Sequence, residues 1–163
     1  MKAPQPDDEL ARHVALRQYH ILDTPPEETF DRLTDLAARI CGTPMAIINL
    51  IDDSRQWFKA KVGLELSEMP RQVGLCPHAI QQRDLFIVED TSQDPRFAHD
   101  PVVTSYPYVR FYAGAPLVTP QGHAIGMLCV IDHAPRQLRQ EQAAALRLLA
   151  RQVIVQLESR RIT

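Results

Sequence analysis

Cys76, Pro77 and His78 stand in a row. A thiol and an imidazole two residues apart can hold a metal, and Cys-Pro pairs also occur in haem-responsive sites. A structural zinc site needs about four ligands. Cys41 and Cys129 fall at a helix end and in a core strand, which makes them poor partners. No metal site is read here. The plainer role is that Cys76 packs at a helix start and His78 hydrogen-bonds nearby, since free cysteine is usually a buried small hydrophobe.

Arg110 opens an apolar stretch and Tyr112 lies two residues along, on the same face of a strand. A guanidinium there can fork onto a carboxylate or phosphate of a ligand. Its competing role is an ion pair inside the domain, to Asp90 or Asp94. Trp57 can stack on a planar ligand or simply fill core. Asp132 ends a strand and suits the amides of the following turn. Asn49, Trp57, Cys76, His78, Arg110, Tyr112 and Asp132 are therefore the candidate ligand-binding residues. Arg71, Asp90, Arg96 and Phe97 are further groups that can meet a ligand, with Arg96 better suited to pinning its loop. Ser54, Ser67, Ser92 and Ser105 show no spacing to a histidine that supports a nucleophilic triad, and no Gly-rich phosphate loop is present. No catalytic residue is assigned.

These groups need elements to position them. The 163 residues suffice for one domain with one sizeable core. A formal net charge of −2 supplies no basic excess to neutralise phosphates, so nucleic acid is not an expected partner. No apolar run reaches the roughly 18–20 residues of a membrane span, and MKAPQPDDELARH lacks a signal-peptide core, which points to a cytoplasmic protein. Three cysteines do not form a disulfide framework.

DDELARHVALRQYHIL reads as a helix with an acidic first turn and apolar Leu10, Val14 and Ile21. DTPPEE breaks it, with Thr24 and Glu27 spaced as a capping box. EETFDRLTDLAARIC is the next helix, ended by Gly42. PMAIINLID reads as a buried strand and RQWFKAKVG as its hairpin partner. LELSEMPRQVGL is an irregular loop, CPHAIQQRD a short helix and LFIVED a short strand. Residues 91–108 are an eighteen-residue loop, a length that is often functional. Two strands around Gly122 follow, then a long helix rich in Ala, Leu, Gln and Arg. This order predicts an α+β fold: an antiparallel sheet with both terminal helices on one face.

The stretches ILDTPPEETFDRLTDLAARICGTP, AIINLIDDSRQWFKAKVGL, CPHAI, DPRFAHDPVV, RFYAGAPLVTPQGHAIGMLCVID and PRQL resemble a GAF domain, the small-molecule sensing module of bacterial signalling proteins. The resemblance runs from about residue 8 to the end and is nearest to the GAF domains at the N-termini of sensor histidine kinases and diguanylate cyclases. It implies one domain over 1–163, with an N-terminal helix in 1–22 and a signalling and dimerisation helix in 136–163. It also implies loops and a short helix closing over a pocket on the sheet face away from the terminal helices. The implied function is non-enzymatic sensing in signal transduction, with an unidentified small ligand, a homodimer through the terminal helices, and a histidine kinase or diguanylate cyclase as output; whether there is a cofactor is unknown from the resemblance.

Two other classes compete. One branch of the family reduces free methionine sulfoxide with pocket cysteines. Cys76 lies near one of them, but Ala113 stands where the reactive partner belongs, and Cys129 reads as inert core. The third class is a ligand-free dimerisation module, to which apolar residues on several sides of the last helix would contribute. The motifs of tetrapyrrole-binding and cyclic-nucleotide-binding branches are not found. Whether the chain stands alone or is a fragment of a larger sensor is left open.

Overall fold

The computed structural model describes residues 6–162. Residues 1–5 of the N-terminal segment, and Thr163, lie outside the described residues. The elements run α1 (Glu9–Arg17), α2 (Glu28–Cys41), β1 (Met45–Ile51), β2 (Arg55–Val62), β3 (Glu68–Pro70), α3 (Cys76–Ala79), β4 (Phe86–Val88), a 3-10 turn (Thr91–Gln93), α4 (Pro101–Thr104), β5 (Phe111–Val118), β6 (Ala124–Asp132) and α5 (Gln140–Ile162). The six strands form one sheet in the order β3-β2-β1-β6-β5-β4. Every neighbouring pair is antiparallel. This is the expected α+β architecture.

Alternation along the central strands divides the core in two. Ala46, Ile48 and Leu50 of β1, Phe111, Ala113 and Leu117 of β5, and Leu128 and Val130 of β6 face the helices. There α2 lies on β1 and β2, and α5 lies on β5 and α2. Leu146, Val153 and Leu157 of α5 are buried in this layer, each stabilising the fold by about 1.5–3 kcal/mol. On the other face Ile47 and Ile51 of β1, Tyr112 of β5, and Met127, Cys129 and Ile131 of β6 meet Leu75, Cys76, Ile80, Phe97 and Val102 from the covering segments.

Several local expectations are corrected. The first helix stops at Arg17 rather than running to Leu22, because His20 turns left-handed at φ 50° and drops Tyr19 and Ile21 into the core. Of its expected apolar stripe only Ile21 is buried: Leu10 and Val14 are 80% and 53% exposed, while Arg12 is wholly buried. The capping box is not formed. Thr24 Oγ1 donates instead to the Ile21 carbonyl, and Glu27 is itself the cap residue of α2, with extended backbone. Its carboxylate takes ion pairs from Lys59 and Arg160. Lys59 can reach there because the β1–β2 register shifts at Asn49, leaving Lys59 as the extra residue of a bulge. Gly42 does end α2, at φ 67°. The loop after β2 contains β3, whose three residues pair on Arg55–Trp57. The helix at Cys76 is one turn, ending at Ala79 rather than Asp84. Residues 91–108 are not structureless: Asp90 caps the 3-10 turn and Asp100 caps α4.

Candidate functional site

The groups able to do chemistry converge on the sheet face away from α2 and α5. The arrangement begins with a missing side chain. Gly114 pairs directly with Cys129 across β5 and β6. A Cβ on Gly114 would stand 2.6 Å from the Tyr112 hydroxyl and 3.0 Å from its Cε1. The Tyr112 ring therefore lies along its own strand, over the glycine, and its hydroxyl comes to 3.0 Å from Cys76 Sγ.

Cys76 is delivered by the chain that covers the sheet. Gly74 adopts φ +89°, a conformation that suits glycine. Its N–H donates to the Asp100 carboxylate, the same group that caps α4. Pro77 fits the first turn of α3, where no N–H is needed. Cys129 lies in the same buried cluster, close enough to Cys76 for each to shift the other's titration. Asn49 also reaches the Cys76 sulfur, and its Nδ2 donates to Gln56 Oε1 at 2.9 Å. Asn49 Oδ1 is buried and has no hydrogen-bond partner among the described residues.

Three weak acids in a dry site cannot share charge equally. The interaction with Cys129, more than any other influence, lowers the Cys76 pKa against the opposing effect of burial, and Tyr112 and Asn49 help. The Cys129 thiol is pushed well up by the same interaction and by burial. Burial, followed by the Cys76 charge, pushes the Tyr112 phenol well up. When the cluster loses a proton, these directions put the charge on Cys76 rather than on Tyr112 or Cys129.

An aromatic chain borders the cluster. His78 meets Phe97 edge-on at 4.9 Å, Phe97 meets Phe86 at 6.0 Å, and Phe86 meets Tyr112 at 6.1 Å. Arg96 lies over the Phe97 and Phe86 rings and pairs with Asp94, so it pins its loop. Phe97, Tyr112, Met127 and Cys129, each no more than 2% exposed, fill the space beneath the loops. A groove of about 790 Å³ lies elsewhere, beside α1 between Val14 and His123.

Of the candidate residues, Asn49, Cys76 and Tyr112 come together, and His78 joins them through Phe97 and Phe86. Trp57 lies on the opposite face, packed in the helix-side core. Arg110 pairs with Asp90 at the sheet edge, donating also to Ser92. Asp132 accepts from the His133 and Ala134 amides and pairs with Arg136. Arg71 is bound to Glu9 and to the Asp52 carbonyl. Cys129, read as inert core, is a full member of the cluster. Its signal was in the pairing register, because a residue opposite Gly114 shares a face with Tyr112.

Gly114→Ala tests this geometry. The obstructed atoms belong to side chains, the Tyr112 ring and the Met127 methyl, and not to backbone, so the chain should fold at a cost of about 1–3 kcal/mol. With Tyr112 displaced, the Cys76 pKa should rise, read as a shift of its alkylation rate profile to higher pH. An unchanged profile would refute the hydroxyl's influence.

Comparisons with known proteins agree with this architecture. The family model for the GAF domain matches residues 25–157. Over 161 residues the chain is 39% identical to a cyclic di-GMP phosphodiesterase of Pseudomonas aeruginosa, a match that covers 98% of this chain and 27% of that protein. The chain thus spans about a quarter of the length of this relative. Among solved structures, the GAF domain of an Acinetobacter phosphoenolpyruvate-protein phosphotransferase superposes with a TM-score of 0.69 at 17% identity, over 95% of each chain. A free methionine-R-sulfoxide reductase from Neisseria meningitidis, in complex with its substrate, gives 0.66 at 17% identity, over 99% of this chain and 96% of that one. The blue-light absorbing PixJ domain of Thermosynechococcus elongatus gives 0.65 at 18% identity, over 80% of this chain and 83% of that one. At such identities the likeness is one of fold.

Proposed function

The chain belongs to the GAF domain family, and from that premise we propose that it is a non-enzymatic sensor whose pocket-face segments report to its terminal helices. Membership of the family supports a sensory or regulatory role. The single observation that carries the finer reading is a shared carboxylate. Glu9 of α1 receives Arg12 from its own helix and Arg71 from the segment leading into α3. Arg71 lies five residues before Cys76. A ligand that moves the covering segment would pull on α1 through this ion pair.

The ligand is a small molecule meeting Asn49, Cys76, His78 and Tyr112, with Arg110 at the sheet edge. Occupancy would require the filled space to open. Leu10 and Val14 on α1, and Leu148 and Val155 on α5, are exposed apolar residues that would serve a homodimer. The output we infer, from the Pseudomonas relative, is an enzyme of cyclic di-GMP turnover, either a phosphodiesterase or a diguanylate cyclase. A histidine kinase is the other output of this kind. No described helix is long and apolar enough to cross a membrane.

Native mass spectrometry, with a denatured run of the same sample, tests the reading. A mass surplus that vanishes on denaturation is expected. A bare dimer would favour the ligand-free dimerisation module. Methionine sulfoxide reduction above a buffer blank would favour the enzyme, which Ala113 argues against.

A further inference from the structure

We propose that Cys76 and Cys129 are a peroxide-responsive thiol pair that closes a reversible disulfide between the covering segment and the central strand β6. The proposal rests on placement. Cys76 lies on α3 and Cys129 on β6, α3 packs against β6, and both cysteines belong to the buried cluster on the pocket face of the sheet. Tyr112 spans them, with its hydroxyl 3.0 Å from Cys76 Sγ and its ring over the glycine that faces Cys129. The proposal is independent of any ligand and does not use the position of Ala113.

The order of events follows from exposure. Cys76 sits in the covering segment and Cys129 beneath it on a central strand, with 5% and 0% of each residue exposed, so an oxidant entering from the covered face is expected to meet Cys76 first. The Cys76 thiolate attacks one oxygen of hydrogen peroxide. The O–O bond breaks, a sulfenic acid forms on Cys76, and hydroxide leaves to take up a proton as water. The Cys129 thiol gives up its proton as its sulfur attacks the Cys76 sulfur. The S–O bond breaks, the S–S bond forms and a second water leaves. Two thiols and one peroxide thus become one disulfide and two waters. A small dithiol reverses the change by exchange.

Tyr112 is a positioning residue that hydrogen-bonds to the Cys76 sulfur. The lowered Cys76 pKa fits the thiol that attacks peroxide, and the raised Cys129 pKa keeps the second sulfur a thiol until the sulfenic acid has formed. Cys41 supplies a control inside the chain. It is buried at the end of α2, in the helix-side core, with its thiol pKa raised chiefly by burial.

The full chain would be treated with stoichiometric hydrogen peroxide, denatured, alkylated with iodoacetamide and weighed intact. Two fewer alkyl groups than in the untreated chain are expected, restored by dithiothreitol, with a peptide map joining Cys76 to Cys129. Cys129→Ser should leave a sulfenic acid on Cys76 that dimedone traps, and Cys41→Ser should behave as the parent. Tyr112→Phe should slow oxidation several-fold at neutral pH, with the rate recovering at higher pH. Equal alkylation with and without peroxide overturns the proposal, and so does a link through Cys41. The peptide map of the unsubstituted chain decides this even where a variant fails to fold.

Discussion

Replacing Glu9 by alanine is expected to destabilise the domain by about 3–5 kcal/mol, the scale for removing one partner of a buried ion pair. The reason lies in what would be left behind. Arg12 is wholly buried and Arg71 is 5% exposed. Arg12 donates to both Glu9 oxygens, at 3.0 and 2.9 Å, and to the Ile51 carbonyl at 2.6 Å. Arg71 donates to the same two oxygens at 3.1 and 2.9 Å. Without the carboxylate, two guanidiniums share a site lined by carbonyls and lack a counter-charge of their own. At this chain length such a loss lowers the melting temperature by roughly 10 °C.

The same carboxylate sets a pH dependence. Its pKa falls from 4.5 to about 2, because the bonds from Arg12 and Arg71 together outweigh burial, which is the largest single influence and acts in the opposite direction. A depressed acid contributes stability that is fully present above the unfolded value and is lost as pH falls through the folded one. The gap between the parent and Glu9→Ala should therefore hold above pH 4.5 and shrink toward pH 2. Urea denaturation across that window measures it. A gap that does not vary with pH would mean that packing, and not charge, carries the effect. Hydrogen exchange adds the functional half. In Glu9→Ala the amides of residues 71–79 should lose protection along with α1. If they keep it, α1 and the pocket-face segment are not coupled through Arg71, and the sensing route fails.

This clamp was hidden from sequence reasoning for a physical reason. Glu9 and Arg12 are spaced as an ordinary surface pair of a helix, and Leu10 and Val14 supply the apolar stripe that such a helix should bury. The partner that completes the clamp, Arg71, is 62 residues from Glu9, in a segment without periodicity. Elements whose own pattern decides them were legible: α2, the buried run of β1, the β5–β6 hairpin, and the Gly42 cap. So was the pairing of Arg110 with Asp90, as one of two stated alternatives. Cys129 was missed because a cysteine inside MLCVI looks like any other core residue. What distinguishes it is its neighbourhood with Cys76 and Tyr112, and the Tyr112 ring lies there only because residue 114 has no side chain. Composition and periodicity report which face a residue occupies. They do not report what stands across the strand.

The second large effect is expected from Gly126→Ala, which should leave too little stability for the chain to accumulate in folded form. A Cβ on Gly126 would lie 2.1 Å from the Asn49 carbonyl oxygen and 3.0 Å from Leu50 Cα. Both are backbone atoms of β1, and β1 and β6 are the two middle strands of the sheet. No rotamer change relieves such a clash. The strands must part, breaking ladder hydrogen bonds and opening both cores at once, at a cost on the order of 4 kcal/mol or more. Gly114→Ala meets side-chain atoms, and Gly122→Ala meets nothing within 4 Å and carries only the strain of φ +93°. The expected order of damage is therefore Gly126→Ala well beyond Gly114→Ala, with Gly122→Ala least. Soluble yield and urea midpoints would measure it. The order matters for function because Asn49 and Cys129 lie on these two strands, so the strand contact that Gly126 permits also holds the buried cluster together. A Gly126→Ala protein that folds with a near-parental midpoint would mean that β1 and β6 can separate cheaply, and the rigid frame assumed for Cys76, Tyr112 and Cys129 would have to be given up.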